Sequence, residues 1–348
     1  MTWQTKTIGE IMKLEYGRPL PKSERLETGG YPAYGANGEK CRSSNFYVDQ
    51  RSIVVGRKGS AGELKLAEEK FWPLDVTYYA TFDPLCYDLK FLYYLLKTQD
   101  LPKLARGVKP GINRNDVYSI AVQVPESLPE QKRIVSILDA AFAAIEKAKE
   151  NAEKNLRNAK ELFDSVLWSI NAPEESLKSL VDIKTGKLDA NAAVEDGQYP
   201  FFTCSREASR IDDYAFDCEA ILLAGNNAVG DFNVKHYKGK FNAYQRTYVI
   251  TVNSDNKILY RYLYFQMLKS LKAFKTKSVG VGTKFLRIGM IKDMQIALPS
   301  IDEQQAIIKQ LDETLDNSKR IESCYTQKIA ALGELKQSLL HKAFNGEL

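Results

Sequence analysis

Apolar residues recur at alternating three- and four-residue spacings in two stretches, each about forty residues long. The first carries Ile134, Leu138, Ala141, Ile145, Ala148, Ala152, Leu156, Ala159, Phe163 and Val166. The second carries Ile308, Leu311, Leu315, Ser318, Glu322, Tyr325, Ile329, Leu332, Lys336 and Leu339 on the same grid. Between Leu128 and Ile170 there is no glycine, and no proline follows Pro129. A heptad seam sustained this long predicts two coiled-coil helices. At 1.5 Å per residue, each is a rod of ~60 Å, too long to be a core helix of one compact body. Ser127 and Ser300 sit where N-caps belong, with Glu or Gln three or four residues on. Ahead of each rod lie some 125 residues of another character (about one domain's worth), rich in Gly, Tyr and Phe. Ile53–Val55, Thr77–Phe82 and Arg246–Val252 read as strands, and Leu89–Lys97 and Ile258–Leu271 as helices. Each body is expected to be α+β.

The bodies are copies. Tyr31-Pro32-Ala33-Tyr34 returns as Tyr199-Pro200-Phe201-Phe202, and Ile53–Gly62 as Ile221–Gly230. Thr77-Tyr78 matches Thr247-Tyr248. Phe91–Tyr94 matches Arg261–Tyr264. Gly107-Val108 matches Gly280-Val281, and Ile120–Pro125 matches Met294–Pro299. Glu130-Gln131 with Leu138-Asp139 matches Glu303-Gln304 with Leu311-Asp312. The order never breaks, so the chain is a tandem duplication with a unit near 170 residues. The expected division is residues 1–128, 129–170, 171–300 and 301–348: body, helix, body, helix.

Composition removes several classes. The chain is 44% apolar and 27% charged, the balance of a folded globular protein. No apolar run reaches the 18 residues a membrane-spanning helix needs. Residues 1–6 lack the apolar core of a secretory signal, so a cytoplasmic location is expected. Five scattered cysteines without a C-x-x-C pair argue against a disulfide frame or zinc site, and two distant histidines argue against histidine chemistry. No metal site is expected. The net charge of +5 divides as +3 in residues 1–128, 0 in 129–170, +4 in 171–300 and −2 in 301–348. Two mildly basic bodies suit two polyanion-binding surfaces. There is no Asn-Pro-Pro-Tyr or Asp-Pro-Pro-Tyr motif and no phosphate-binding P-loop, and Gly56, Gly59 and Gly62 lack the G-x-G-x-x-G spacing. No catalytic residue is expected.

The doubled Leu128-Pro129-Glu130-Gln131-Lys132-Arg133-Ile134-Val135 and Ile301-Asp302-Glu303-Gln304-Gln305-Ala306-Ile307-Ile308 resemble the specificity subunits of Type I restriction–modification systems. Tyr31-Pro32 and Tyr199-Pro200 early in the bodies, and Leu340–Leu348 at the end, add to the likeness, which covers the whole chain. The resemblance implies two α+β target-recognition domains alternating with two long helices packed as an antiparallel coiled coil. It implies double-stranded DNA as ligand, with a split, asymmetric site read by the two bodies. It also implies two DNA methyltransferase subunits and restriction subunits as partners. Cofactors lie with them: S-adenosylmethionine in the methyltransferase, ATP and magnesium in the restriction subunit, none in this chain. Ile134, Leu138, Ala141, Ile145, Leu156, Ile308, Leu311, Leu315, Ile329 and Leu332 are the expected subunit-interface residues. A ~60 Å rod spaces two bodies by at most ~17 base pairs at 3.4 Å each.

Framework positions match between the copies while loop tips differ: Gly56-Arg57-Lys58-Gly59-Ser60 stands where the second copy has Ala224-Gly225-Asn226-Asn227-Ala228. Arg or Lys suits guanine in the major groove and Asn suits adenine. The candidate DNA-binding residues are Arg57, Lys58, Ser60, Lys109, Asn113 and Arg114 in the first body, and Asn226, Asn227, Arg246, Lys284 and Arg287 in the second. A non-enzymatic two-headed scaffold that binds proteins through its 19 tyrosines is the competing reading. Salt-sensitive duplex binding separates the two.

Overall fold

In the computed structural model, residues 3–227, 232–255, 257–277 and 284–348 are described. The chain divides into two compact units, Met1–Glu153 with Gln327–Leu348, and Lys154–Thr326.

In the first unit, Trp3–Thr7 pairs antiparallel with Ala121–Pro125 and so closes the body just before its helix begins. The main sheet runs Met12–Tyr16, Thr77–Phe82, Ser52–Gly56, Leu64–Ala67. The strand Ser52–Gly56 is buried throughout, because the sheet is covered on both faces. Strand alternation sends Ile53 and Val55 to the larger core and Val54 to a smaller one with Val48 and Phe71. The helix Leu89–Lys97 lies in the larger core through Phe91, Leu92, Leu95 and Leu96, and Asp88 caps its start. A second sheet runs Arg25–Leu26, Gly38–Ser43, Tyr31–Gly35, Trp72–Pro73.

The second unit repeats this plan with one change. Glu174–Ser176 pairs with Gln295–Ala297 as the closing ribbon. One six-stranded sheet runs Val181–Thr185, Thr247–Val252, Phe216–Ala224, Val234–Ala243, Tyr199–Phe202, Ser209–Ile211. The strand Val234–Ala243 does the work of Leu64–Ala67 and Trp72–Pro73 together. It pairs antiparallel with Phe216–Ala224, and its end runs parallel to Tyr199–Phe202. The same parallel contact, Ala33 with Trp72, forms in the first body. The helix Tyr260–Lys277 covers the sheet through Tyr262, Leu263 and Met267. Its start falls two residues after the expected Ile258, and Gln304 accepts from the Leu259 N–H that precedes it.

The long helices are Leu128–Ser169 and Ile301–Phe344. In the first unit the start of one lies beside the end of the other, joined by Lys336 to Glu146 at 2.7 Å. In the second unit Lys160 meets Glu322 at 2.9 Å, and Ser318 donates to the Ala159 carbonyl across the pair. The packing is therefore antiparallel, as the resemblance implied. Ser318, Glu322, Tyr325 and Lys336, polar on an apolar grid, are used in these cross-helix bonds. Tyr325 accepts from Asn155 at 2.9 Å.

The same splice joins each body to its helix. Gln131, fully buried, accepts from the Asp88 N–H at 2.9 Å and donates to the carbonyls of Cys86 and Pro125. Gln304 accepts from the Leu259 N–H at 2.9 Å and donates to the carbonyls of Lys257 and Pro299. About two turns further on, Asp139 takes Lys90 and Tyr94, and Asp312 takes Arg261. Burial alone raises the Asp139 carboxyl, but the bonds from Lys90 and Tyr94 outweigh it and hold the group below the usual carboxylate range. These pairs put Lys90 and Arg261 at equivalent places, which corrects the sequence match of Phe91 with Arg261 by one residue. Phe91 and Tyr262 are the matched core aromatics.

The predicted subunit-interface set is largely consumed inside the chain. Ile134, Leu138, Ile145 and Leu311 are buried in the cores of their own units. Ile308 packs on the second unit's core, Leu315 on the helix cluster beside it, and Leu332 on the first unit's core. Ala141, Leu156 and Ile329 are half-buried. A seam residue with no exposed surface cannot meet another subunit. The large apolar side chains these helices leave exposed are Leu162, Trp168, Ile321 and Leu335.

Candidate nucleic-acid interface

At the tip of the first body, residues 56–62 zip to residues 106–112. The Gly59 N–H donates to the Pro110 carbonyl, the Ile112 N–H to the Arg57 carbonyl, and Lys58 bridges Gly111. Gly62, at φ +84°, turns the chain away. A Cβ there would lie 2.4 Å from the Pro102 nitrogen, so only glycine fits. This zip gathers Arg57, Lys58, Ser60 and Lys109, and delivers Asn113 and Arg114 at the following helix Arg114–Tyr118. Lys58 and Lys109 are exposed, while Arg57, Ser60 and Arg114 are half-buried. Asn113 has a structural duty: its side chain caps that helix by accepting from the Asn115 N–H. The Arg57 guanidinium donates twice to the Asp75 carbonyl and lies over the Tyr16 ring, as does Arg114.

The second tip has the same hydrogen bonds and other side chains. The Leu286 N–H donates to the Gly225 carbonyl, as Ile112 does to Arg57. Asn226 pairs with Phe285 and Asn227 with Lys284, as Lys58 bridges Gly111. Behind each loop a tyrosine holds the far segment: Tyr78 donates to the Ile112 carbonyl and Tyr248 to the Leu286 carbonyl. Burial pushes both phenols up, so both stay protonated donors. Gly225 and Arg57 are equivalent, as are Arg246 and Val76, because each N–H of the first pair bonds the carbonyl of the second.

This brings Asn226, Asn227 and Arg246 to one place, with Arg287 exposed at the cap of the helix Ile288–Lys292. The backbone of Lys284 lies there too; its side chain is outside the described residues, as are Ala228 and Gly280-Val281. Arg246 lies over the exposed ring of Phe285 at 6.0 Å. Asn226 Oδ1 is buried without a hydrogen-bond partner among the described residues, a costly state for an amide oxygen. Among the described residues, Arg57, Lys58, Lys109, Arg114, Arg246 and Arg287 have no carboxylate within 4.0 Å. Two clusters of uncompensated cations are what a polyanion neutralises.

Tyr16, Tyr78, Tyr248, Arg106 and Phe285 belong to these tips and escaped the sequence reading. The two tyrosines of the scaffold had a visible signal, the matched Thr77-Tyr78 and Thr247-Tyr248. Tyr16 had none. Among the described residues, no group of three His, Cys, Asp or Glu side chains could hold a metal ion, and no helix is long and apolar enough to cross a membrane.

The chain belongs to the family of the Type I restriction modification DNA specificity domain, whose model matches residues 1–154 and 173–330. It is 44% identical over 172 residues to the Type I restriction enzyme EcoDI specificity subunit of Escherichia coli, a match over 49% of this chain. That match spans only 37% of the EcoDI subunit's length. A putative type I specificity subunit of Mycoplasma genitalium is 24% identical, over 99% of this chain and 94% of that one. Among solved structures, a chain from a type I R-M system studied for its complex assembly and conformational transition has the same fold. Its TM-score is 0.76 at 14% identity, over 99% of this chain and 98% of that one.

Proposed function

We propose that this chain is the non-catalytic DNA-recognition subunit of a Type I restriction–modification complex. Each body reads one half of a bipartite, asymmetric site in double-stranded DNA. The chain directs two methyltransferase subunits and the restriction subunits to that site. S-adenosylmethionine belongs to the methyltransferase, and ATP and magnesium to the restriction subunit; the assembly works in the cytoplasm. The observation that carries the reading is the paired tips. One hydrogen-bonded scaffold is built twice and presents Arg57 and Arg114 in one copy, Gly225 and Ile288 in the other. A constant frame with exchanged tips is what reading two different sequences requires.

The chain, assembled with its methyltransferase partner, is expected to bind duplex DNA with an affinity that falls linearly with salt on a log–log plot. Each neutralised phosphate contributes about 0.9 to the slope. Titrating a duplex at several salt concentrations measures it. A flat salt response contradicts the proposal and favours a protein-binding scaffold.

A further inference from the structure

We propose that Tyr16 is the positioning residue of a guanine-reading clamp in the first body, an inference that rests on the DNA-reading role above. Tyr16 ends the strand Met12–Tyr16 and is 48% exposed. Two guanidinium groups converge on its ring, Arg57 at 5.3 Å and Arg114 at 5.0 Å from the centroid. Like charges gathered on one ring repel, and neither has a carboxylate partner among the described residues. The arrangement is complete only with an acceptor from outside the chain.

The backbone fixes how that acceptor is met. Arg57 Nε and Nη2 both donate to the Asp75 carbonyl, at 3.2 and 2.6 Å. That spends the inner edge of the guanidinium and leaves Nη1 and the outer hydrogen of Nη2 as a parallel pair. Arg114 Nη1 donates to the Leu14 carbonyl at 3.2 Å, which leaves its Nε and Nη2. A fork held along one edge by a carbonyl and kept close to a ring suits a target with two adjacent acceptors. Guanine O6 and N7 in the major groove are such a target. A phosphate also takes an arginine fork, but it is neutralised equally by lysines such as Lys58 and Lys109 at the same tip, whereas two adjacent acceptors on a base edge need the fork.

The second body supplies the comparison. Strand pairing puts Thr185 opposite Tyr248, as Tyr16 lies opposite Tyr78, so Thr185 stands in Tyr16's place. Gly225 stands in Arg57's place and Ile288 in Arg114's. All three clamp members are replaced together. The structural tyrosine behind them is kept, and the loop bonds are kept with it. The tyrosines that hold the tip, Tyr78 and Tyr248, are present in both copies, and the clamp members are not.

The test uses the full chain, assembled with its methyltransferase partner, as wild type, Tyr16→Phe, Tyr16→Ala and Tyr16→Thr. The last carries the side chain the second body already accommodates. Base-resolution methylation mapping is paired with binding to duplexes altered one base pair at a time. In Tyr16→Ala and Tyr16→Thr, discrimination at one guanine of one half-site is expected to fall about 5- to 150-fold, the range of one bidentate base contact. The other half-site and the salt slope stay as in wild type, and Tyr16→Phe, which keeps the ring face, reads like wild type. Uniform weakening on all sequences with both half-sites intact overturns the clamp and makes the arginines phosphate contacts. A wild-type map with no guanine in either half-site also overturns it. Wild type that fails to bind duplex DNA at all overturns the recognition role itself, a different result.

Discussion

Gln304→Leu is expected to destabilise the second unit by about 3–5 kcal/mol. Leucine fills the same space but takes the buried amide away from the Leu259 N–H and the carbonyls of Lys257 and Pro299, at roughly 1–3 kcal/mol per group left unsatisfied. Gln131→Leu should do the same to the first unit, since its three partners are the matching ones. Glu303, adjacent to Gln304, is exposed; its carboxylate closes a capping box with Ser300, and Glu303→Ala should cost far less. Urea unfolding of the full chain, with the two variants side by side, measures the contrast. If Gln304→Leu and Glu303→Ala shift the midpoint equally, the glutamine is not the splice.

The second large effect concerns the first tip. Lys58→Glu with Lys109→Glu is expected to weaken duplex binding by about 10- to 100-fold at moderate salt. The salt slope should flatten by about 0.9 for each phosphate that is no longer neutralised. The effect should be uniform across sequences, because lysines of this kind position the backbone and do not read bases. Neither lysine has an ion pair among the described residues, and both are exposed, so the fold should be unaffected. Binding isotherms on cognate and unrelated duplexes check this. A loss confined to the cognate duplex makes them base readers.

The long elements were legible in the sequence because their periodicity is carried by many residues. The first long helix begins at Leu128, one residue before the expected bound of 129, and Leu89–Lys97 and Thr77–Phe82 agree to the residue. The duplication was legible too: Thr77-Tyr78 and Thr247-Tyr248 match because Tyr78 and Tyr248 hold the same loop segment in each copy. The second sheet of the first body was not: Arg25–Leu26, Gly38–Ser43 and Trp72–Pro73 are short, polar or proline-bearing, and pairing alone makes them strands.

Tyr16 shows why the site was harder. Met12 and Leu14 alternate inward and are buried. The same alternation assigns Tyr16 to the core. It lies one residue past the covered part of the sheet, where an inward-pointing ring emerges at the surface and meets two arginines from distant segments. No local pattern encodes that meeting. Asn113, flagged as a reader, caps a helix for the same reason: residues that favour turns and caps also favour bases.

One scaffold, built twice, should read two different sequences. Base-resolution methylation mapping in a host carrying this chain and its methyltransferase partner tests that most directly. The predicted result is methylated adenine in a split site, two short unlike half-sites separated by a fixed unspecified gap. A single continuous palindrome would contradict it, because bodies that present Arg57 and Arg114 in one copy and Gly225 and Ile288 in the other cannot read the same bases twice.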